Sequence, residues 1–263
     1  RGLGELVVAP ELTPQQKAWY SVNESTYKES MYKEHPSDPD EAFKASVDGA
    51  YYASEFIAID ATNRICSVPI HNGIKVDTWW DLGMDDSTSI WFSQTVGREI
   101  HLIHYIEDSG EGLAYYVQKL DEIAKARNFR YGRHVAPHDI QVRELGTGVT
   151  RAETAMSMGL QFEICPAIGG QAEGINAVRQ ILPMCWFDVK HCRPYYIGKE
   201  VGVKSLRSYR REWDERRGKH RNQPEHNWAS HGAKAFETMA LMWPRTIQTS
   251  GRPFHQGGGR YRT

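Results

Sequence analysis

Three aspartates stand close together around one short turn of the chain. Asp81 ends an apolar run within VDTWWDLGMDDSTSIWFSQ, and Asp85 and Asp86 follow after a glycine turn. A carboxylate in the middle of a sheet is costly to bury unless it is paired or binds a metal ion. Asp81 is therefore a candidate metal ligand. The alternative is a structural aspartate that caps the turn through its own backbone, a common role of aspartate beside glycine.

A further aspartate, Asp139, lies within YGRHVAPHDI, a segment that is predicted to be a strand ending at this residue. In a mixed sheet the strand of Asp81 and the strand of Asp139 can be neighbours, so we expect both carboxylates in one cleft. Phosphodiester hydrolysis by two divalent ions needs such convergent carboxylates, since one ion activates water and the other stabilises the leaving oxygen. Mg²⁺ prefers oxygen ligands. Asp85 and Asp86 would add a ligand or bind through water.

The elements that position these residues differ between the start of the chain and the rest. Residues 1–50 are predicted to be a linker that contains a helix within LTPQQKAWYSVNESTYKESMYKE, with Thr13 as its N-cap and Gln16 three residues later. A β pattern then begins, with strands predicted over 51–59, 64–70, 75–83, 88–96 and 99–106.

Helices and strands alternate in the second half. Helices are predicted in GEGLAYYVQKLDEIAKARN, RAETAMSMG, GINAVRQILPMCWF, at about 203–213, and in WASHGAKAFETMALMW. QFEICP is predicted to be a strand, RRGKHRNQPEHN a polar loop, and residues 246–263 a flexible basic tail. This order predicts an α/β domain over 51–245, with a mixed sheet whose antiparallel edge comes from the first three strands. A doubly wound sheet is disfavoured because the early strands follow one another without helices.

Composition narrows the class of protein. The 263 residues, 40% of them hydrophobic, suit one large domain or one domain with an appendage, and no apolar run approaches the length of a membrane span. No glycine-rich nucleotide-binding motif occurs at a strand-to-helix turn. Cys66, Cys165, Cys185 and Cys192 form no CxxC pair, which predicts a reduced, cytosolic protein. A metal cluster of Cys185, His191 and Cys192 is the alternative.

Positive charge is concentrated late in the chain although the formal net charge is −1. Residues 199–221 contain nine Lys or Arg and four acids, enough for a patch that contacts phosphates. The candidates at helical spacing, together with one residue of the following loop, are Lys204, Arg207, Arg210, Arg211 and Arg217. Such contacts would position DNA without reading its sequence. The alternative is a solvated helix face and loop.

The ordered set EHPSDPDEAF, WWDLGMDDST, APHD, GINAVRQIL and HNWASHGAKAF resembles the C-terminal nuclease domain of a tailed-bacteriophage large terminase. The similarity runs over nearly the whole chain. It implies an RNase H-like fold and an endonuclease with two Mg²⁺ or Mn²⁺ ions, which cuts concatemeric double-stranded DNA with little sequence specificity during genome packaging.

The resemblance also implies a setting for the protein. Residues 1–50 would be the end of an ATPase motor domain whose Walker motifs are absent here. The implied partners are double-stranded DNA, that motor domain, the portal and the small terminase, and the implied location is the host cytoplasm, away from membranes. An isolated nuclease domain of this kind is expected to be a monomer.

Carried over by position, Asp81 matches the first catalytic aspartate of the family, Asp139 the second, and Asp86 an auxiliary acid. The third catalytic aspartate normally lies in the last helix, in a pattern S-H-x-A-D-A, where this chain has SHGAKA from residue 230. Lys234 therefore occupies the acid position. At roughly 4 Å its ammonium would repel a divalent ion by several kcal/mol at an effective dielectric of about 20.

Three interpretations of this departure follow. Cleavage is weakened or lost through Lys234; or Glu237, one helical turn later, is the third acid and metal ligand; or the site works with Asp81, Asp139 and Asp86 alone. Two alternative functions accompany them. One is a catalytically impaired domain that binds DNA or docks on the portal, and the other is a Holliday-junction resolvase or transposase-like nuclease on the same fold.

Overall fold

A mixed β-sheet forms the centre of the described part of the chain. The computed structural model describes residues 13–27, 49–83, 87–144, 146 and 148–250. In these residues the sheet has seven strands, which are β1 (Ile65–Cys66), β2 (Val76–Asp81), β3 (Ser87–Val96), β4 (Glu99–Ser109), β5 (Tyr131–Pro137), β6 (Phe162–Cys165) and β7 (Cys185–Asp188).

The strand order in space is β1-β7-β4-β3-β2-β5-β6. Strand β3 runs antiparallel to both β2 and β4, and the remaining neighbours are parallel. This confirms the predicted fold class, an RNase H-like mixed α/β sheet. The antiparallel strands lie inside the sheet, between parallel pairs on both sides, and not at an edge as predicted.

The described residues form seven α-helices, and all but the first contribute buried residues to the core on one or the other face of this sheet. They are α1 (Pro14–Tyr27), α2 (Ala53–Ala61), α3 (Leu113–Arg127), α4 (Arg151–Ser157), α5 (Gln171–Ile181), α6 (Val203–Ser208) and α7 (Ala229–Ser250). Two short 3-10 turns, His138–Gln141 and Leu182–Met184, follow β5 and α5. Two hairpins lie outside the sheet, β8 (Tyr195–Tyr196) with β9 (Lys199–Glu200) and β10 (Arg211–Asp214) with β11 (Lys219–Pro224).

Alternation along β2 divides the core between the two faces. Trp79 belongs to the cluster that contains Phe236 of α7, whereas Trp80 belongs to the cluster that contains Tyr116 of α3. Both tryptophans are essentially inaccessible to solvent. Because successive side chains of a strand point to opposite faces, Asp81 shares the face of Trp79 and lies under α7.

Several sequence predictions are confirmed. The strands predicted at 75–83, 88–96 and 99–106 correspond to β2, β3 and β4, and the amphipathic helix corresponds to α3. Helix α1 begins with the predicted capping box, in which the Thr13 amide donates to Gln16 Oε1 at 2.8 Å and the Gln16 amide donates to Thr13 Oγ1 at 3.3 Å. The predicted linker positions 1–12 and 28–48, and the tail from 251, lie outside the described residues.

The strand predicted at 51–59 is wrong, because these residues form α2. Besides Tyr51, the buried side chains there are Tyr52, Phe56 and Ile59, at spacings of four and three that place them on one helix face. A short apolar run with alanines fits either periodicity, and packing against the sheet selects the helix. Only Ile65–Cys66 of the predicted strand 64–70 is extended in the sheet.

Two boundaries in the second half also differ. The helix predicted to continue through CWF ends at Ile181, and Cys185–Asp188 becomes β7, paired with both β1 and β4. The helix predicted at 203–213 ends at Ser208, and the predicted polar loop forms most of the β10–β11 hairpin. In both places long-range strand pairing overrides the local helical pattern.

Within the described residues, no helix is both long enough and apolar enough to span a membrane. All four cysteines are free thiols, and Cys165, Cys185 and Cys192 are buried. The alternative cluster of Cys185, His191 and Cys192 is not a metal site among the described residues, since His191 instead bonds to Asp188.

Helix α7 approaches the sheet closely at Gly232. A Cβ atom there would lie 2.8 Å from the Tyr105 hydroxyl and 2.9 Å from Ser205 Cβ. The Gly232 carbonyl also accepts a hydrogen bond from Trp91 Nε1 at 2.8 Å. A glycine at this position therefore sets the distance between α7 and the strands beneath it.

We expect Gly232→Ala to lower the free energy of unfolding by about 1–3 kcal/mol, because overpacking outweighs the better helix propensity of alanine. Urea denaturation measures the change. Gly169→Ala is the matched control, since its Cβ would find only an ordinary contact at 3.6 Å. Equal stability of the two variants would contradict this account of the helix–sheet contact.

Candidate active site

Asp81 and Asp139 come together at one end of the sheet. Strand β2 ends at Asp81, and its parallel neighbour β5 ends at Pro137. Asp139 lies in the 3-10 turn that follows, two residues beyond the predicted strand end, and buried Ile140 anchors that turn. Because parallel strands end at the same edge, both carboxylates line one cleft of about 660 Å³.

Helix α7 forms the wall of the cleft opposite the strand ends. Asn227 starts the helix by accepting a hydrogen bond from the Ala229 amide at 2.9 Å. The α7 residues on the cleft recur at helical spacing, and they are Ser230, His231, Lys234, Glu237, Thr238 and Leu241. His138, beside Asp139, lines the cleft as well.

Lys234 is held in place by two partners in this wall. Its Nζ donates to Gln171 Oε1 at 2.7 Å and lies 3.0 Å from Glu237 Oε1. Gln171 in turn donates from Nε2 to Glu237 Oε2 at 3.0 Å and to the Tyr209 hydroxyl at 3.2 Å. The side chains of Lys234, Gln171 and Glu237 therefore form a closed triangle of hydrogen bonds.

Glu237, the predicted alternative third acid, lines the same cleft and contacts Lys234. It is 5% exposed, and both of its carboxylate oxygens accept hydrogen bonds within the triangle. A Cβ at Gly174 of α5 would lie 2.2 Å from Glu237 Cδ, so the glycine makes room for this carboxylate. Burial raises the pKa of Glu237, and the Lys234 ammonium opposes that rise.

The electrostatics of the cleft centre on Asp81. Burial raises the pKa of Asp81 to about 7, with the negative charge of Asp139 adding to the rise and Lys234 opposing it. A carboxylate whose charged form is disfavoured in this way is stabilised when a cation binds beside it. Asp81 and Asp139 therefore form a paired acid site that favours a positively charged ligand.

A further buried acid near Asp81, Glu107, was not predicted from the sequence. Register places Asp81 opposite Ser89, and Ser89 opposite Glu107, across β2, β3 and β4. Glu107 is 6% exposed and accepts a short hydrogen bond from the Tyr105 hydroxyl, whose oxygen also lies 3.1 Å from Ser89 Oγ. In the sequence Glu107 directly follows the strand predicted at 99–106, and it shares the strand face of Tyr105, two residues earlier.

The remaining predicted site residues fall into two groups, two aspartates that the structure does not describe and the basic residues. Asp85 and Asp86 lie outside the described residues. Lys204 and Arg207 are on α6, but Arg210 and Arg211 lie beyond its end, so the predicted helical spacing is wrong for these two. Among the described residues, no group of three or more His, Cys, Asp and Glu side chains is arranged to hold a metal ion.

The basic residues also differ in their contacts. Arg207 pairs with Asp60 and lies over the Phe56 ring, and Arg211 lies over the Tyr51 ring. Arg210 donates from Nε to the Ser208 carbonyl at 3.3 Å. Lys204 and Arg217, the latter between β10 and β11, are exposed.

We expect Glu107 to make stability depend on pH. Burial raises its pKa from 4.5 to about 7, so the folded state keeps a proton that the unfolded chain loses, and the free energy of unfolding falls as the pH rises through this window. In wild type, the contribution of Glu107 to this fall in the free energy of unfolding is on the order of 3 kcal/mol, and Glu107→Gln should remove it. Denaturant unfolding of metal-free protein at about pH 5 and about pH 8 measures it.

Asp81 titrates in the same window, so the difference between wild type and Glu107→Gln isolates the contribution of Glu107. The exposed Glu122→Gln serves as the control and should leave the pH dependence as it is. An unchanged fall in Glu107→Gln would show that Glu107 is not the source.

Comparisons with known proteins point to one group of structures. No family model matches the chain, and no curated protein sequence does either. The structure matches the P22 large terminase nuclease domain with a TM-score of 0.49 and 14% identity, over 69% of this chain and 89% of that one. The nuclease domain of the bacteriophage SPP1 large terminase with bound Mn matches with a TM-score of 0.42 and 12% identity, over 65% and 86%.

A large terminase from a thermophilic bacteriophage matches with a TM-score of 0.49 and 12% identity, over 69% of this chain. The chain spans 43% of the length of that protein. By structure, the chain is similar to large terminase nuclease domains, the family that its ordered sequence motifs resemble.

Proposed function

We propose that this chain is a metal-dependent DNA endonuclease of the large-terminase class, which cuts double-stranded DNA with little sequence specificity. The observation that carries the proposal is the meeting of Asp81 and Asp139 in one cleft, from two adjacent parallel strands. The ordered motifs support the role in genome packaging, with the ATPase motor domain, the portal and the small terminase as partners and the host cytoplasm as location.

The donor atoms of the cleft fit a hard divalent cation. Two carboxylates offer the oxygen ligands that Mg²⁺ and Mn²⁺ prefer. Burial and the charge of Asp139 raise the pKa of Asp81, and a cation bound beside the pair would oppose that rise. The ion would supply a Lewis acid for the phosphate and would lower the pKa of the attacking water. The resemblance implies two ions, and the two described aspartates can hold one between them.

The side chains of the cleft have separate tasks in this reaction. Asp81 and Asp139 hold the ion, and Lys234, on the opposite wall, meets the negative charge of the phosphate. Hydrolysis joins a water oxygen to phosphorus, breaks the bond to one sugar oxygen, and leaves that oxygen with a proton. Since DNA is recognised here by its backbone, the site needs no contact with base edges.

Removing either aspartate should abolish cleavage. We expect Asp81→Ala and Asp139→Ala each to lower the rate of plasmid nicking in Mn²⁺ by at least about 10³-fold, because a lone carboxylate cannot hold the ion in place. Gel electrophoresis of supercoiled plasmid measures the rate. Asp121→Asn, an exposed aspartate paired with Lys125 on α3, is the matched control and should cut as wild type does.

Full cleavage by both alanine variants would refute the site assignment. A strong preference for four-way junctions over linear duplex would instead indicate a resolvase on this fold. Salt-sensitive DNA binding without any cleavage would indicate the non-catalytic DNA-binding alternative.

The exposed basic residues are proposed to contact the DNA backbone. Arg217→Gln should weaken duplex binding equally for unrelated sequences and reduce the slope of log affinity against log salt by about 1. Fluorescence anisotropy over a salt series measures both quantities. Arg98→Gln is the control, because Arg98 is exposed in the β3–β4 turn, at the opposite end of the sheet from Asp81. Equal slopes for the two variants would exclude a phosphate contact at Arg217.

A further inference from the structure

We propose that the ammonium of Lys234 supplies one of the positive charges of this site, so that the cleft holds a single divalent ion between Asp81 and Asp139. The inference rests on the proposed nuclease function. It assigns the lysine a role in catalysis at the position where the family motif has an acid. Lys234 would then act on the substrate phosphate directly.

The first support is the position of the amine. Lys234 lines the same cleft as both aspartates, and its charge acts on Asp81. About a third of its side chain is exposed, 35%, so the amine is accessible from the cleft. A lysine that pointed away from the acids would leave room there for a second ion.

The second support is that the amine is fixed. Two of its three N–H donors are directed at Gln171 Oε1, at 2.7 Å, and Glu237 Oε1, at 3.0 Å. Gln171 also ties the other oxygen of Glu237, which fixes both acceptors relative to each other. The third donor is left for a phosphate oxygen, and a preorganised charge of this kind needs no rearrangement when the substrate binds.

The third support is the balance of charge. Among the described residues that line the cleft, four are acids, Asp81, Asp139, Glu225 and Glu237, and Lys234 is the lysine among them. An aspartate in place of Lys234 would make the cleft more negative by two charges, which is the charge of one further divalent ion. The lysine therefore changes the number of ions for which the cleft is balanced.

Glu237 does not supply the missing ligand in this arrangement. Both of its oxygens accept hydrogen bonds from Lys234 and Gln171, and it packs against Gly174, so binding an ion would cost Glu237 these hydrogen bonds and leave the Lys234 amine without this partner. Among the described residues no third acid completes a metal cluster with Asp81 and Asp139.

The number of bound ions tests the inference without DNA. Isothermal titration calorimetry with Mn²⁺ on the full chain should give one ion for wild type, one for Lys234→Gln and two for Lys234→Asp. Electron paramagnetic resonance should show an isolated Mn²⁺ ion in wild type and a spin-coupled pair in Lys234→Asp. Lys125→Asp, the same charge change at an exposed position of α3, should leave the count at one.

Cleavage provides a second readout. Lys234→Gln should bind one ion as wild type does yet nick plasmid more slowly, by on the order of 10²-fold, the usual effect of removing one preorganised group that stabilises transition-state charge. A rate of plasmid nicking in Lys234→Gln equal to that of wild type would overturn the proposed role of the amine in catalysis. Lys234→Asp places a second acid beside Glu237, so thermal melting should be used to confirm that this variant folds. If Lys234→Asp does not fold, the nicking rate of Lys234→Gln still tests the inference.

Two ions or none in the wild-type protein, or a spin-coupled pair of Mn²⁺ ions there, would overturn the inference. Failure of the nuclease function would be seen differently, as absence of cleavage in wild type while one ion still binds. The two outcomes are therefore distinguishable in the same set of samples.

Discussion

The carboxylate of Asp81 lies where a strand end is covered by the last helix, and its negative charge there must be compensated. Burial and the neighbouring Asp139 both disfavour the charged form, and an uncompensated buried charge would cost several kcal/mol. The compensation comes from α7, whose Lys234 faces the acids. A divalent ion would complete it. The arrangement of helices on this face of the sheet follows from that requirement.

The packing that brings this charge to the acids is tight and depends on small residues. Gly232 allows α7 to approach Tyr105, and Gly174 allows α5 to approach Glu237. Gln171, at the start of α5, then reaches both members of the Lys234–Glu237 pair. The site is therefore built by contacts between two helices as much as by the strands that bear the aspartates, and a shift of either helix would alter the position of the amine.

The elements with a strong local signal could be predicted from the sequence, and the ambiguous ones could not. Strands β2, β3 and β4 contain runs of aromatic and β-branched residues, and α3 has apolar residues at spacings of three and four. The run 51–59 carries apolar residues that satisfy both patterns, and only its packing made it a helix. The strand at Cys185–Asp188 pairs with β1 and β4, partners more than 70 residues away in the chain, which no local pattern could reveal.

The sequence by itself determined the chemistry of the groups: two aspartates at predicted strand ends, and a lysine where a related motif has an acid. These are properties of residue type and order, which folding does not change. Tertiary structure decided the rest, namely that β2 and β5 are neighbours, that Gln171 and Glu237 hold the Lys234 amine, and that Glu107 is buried in line with Asp81. Those facts depend on distances between residues remote in the chain, and the distances are set by strand register and by how closely the helices pack.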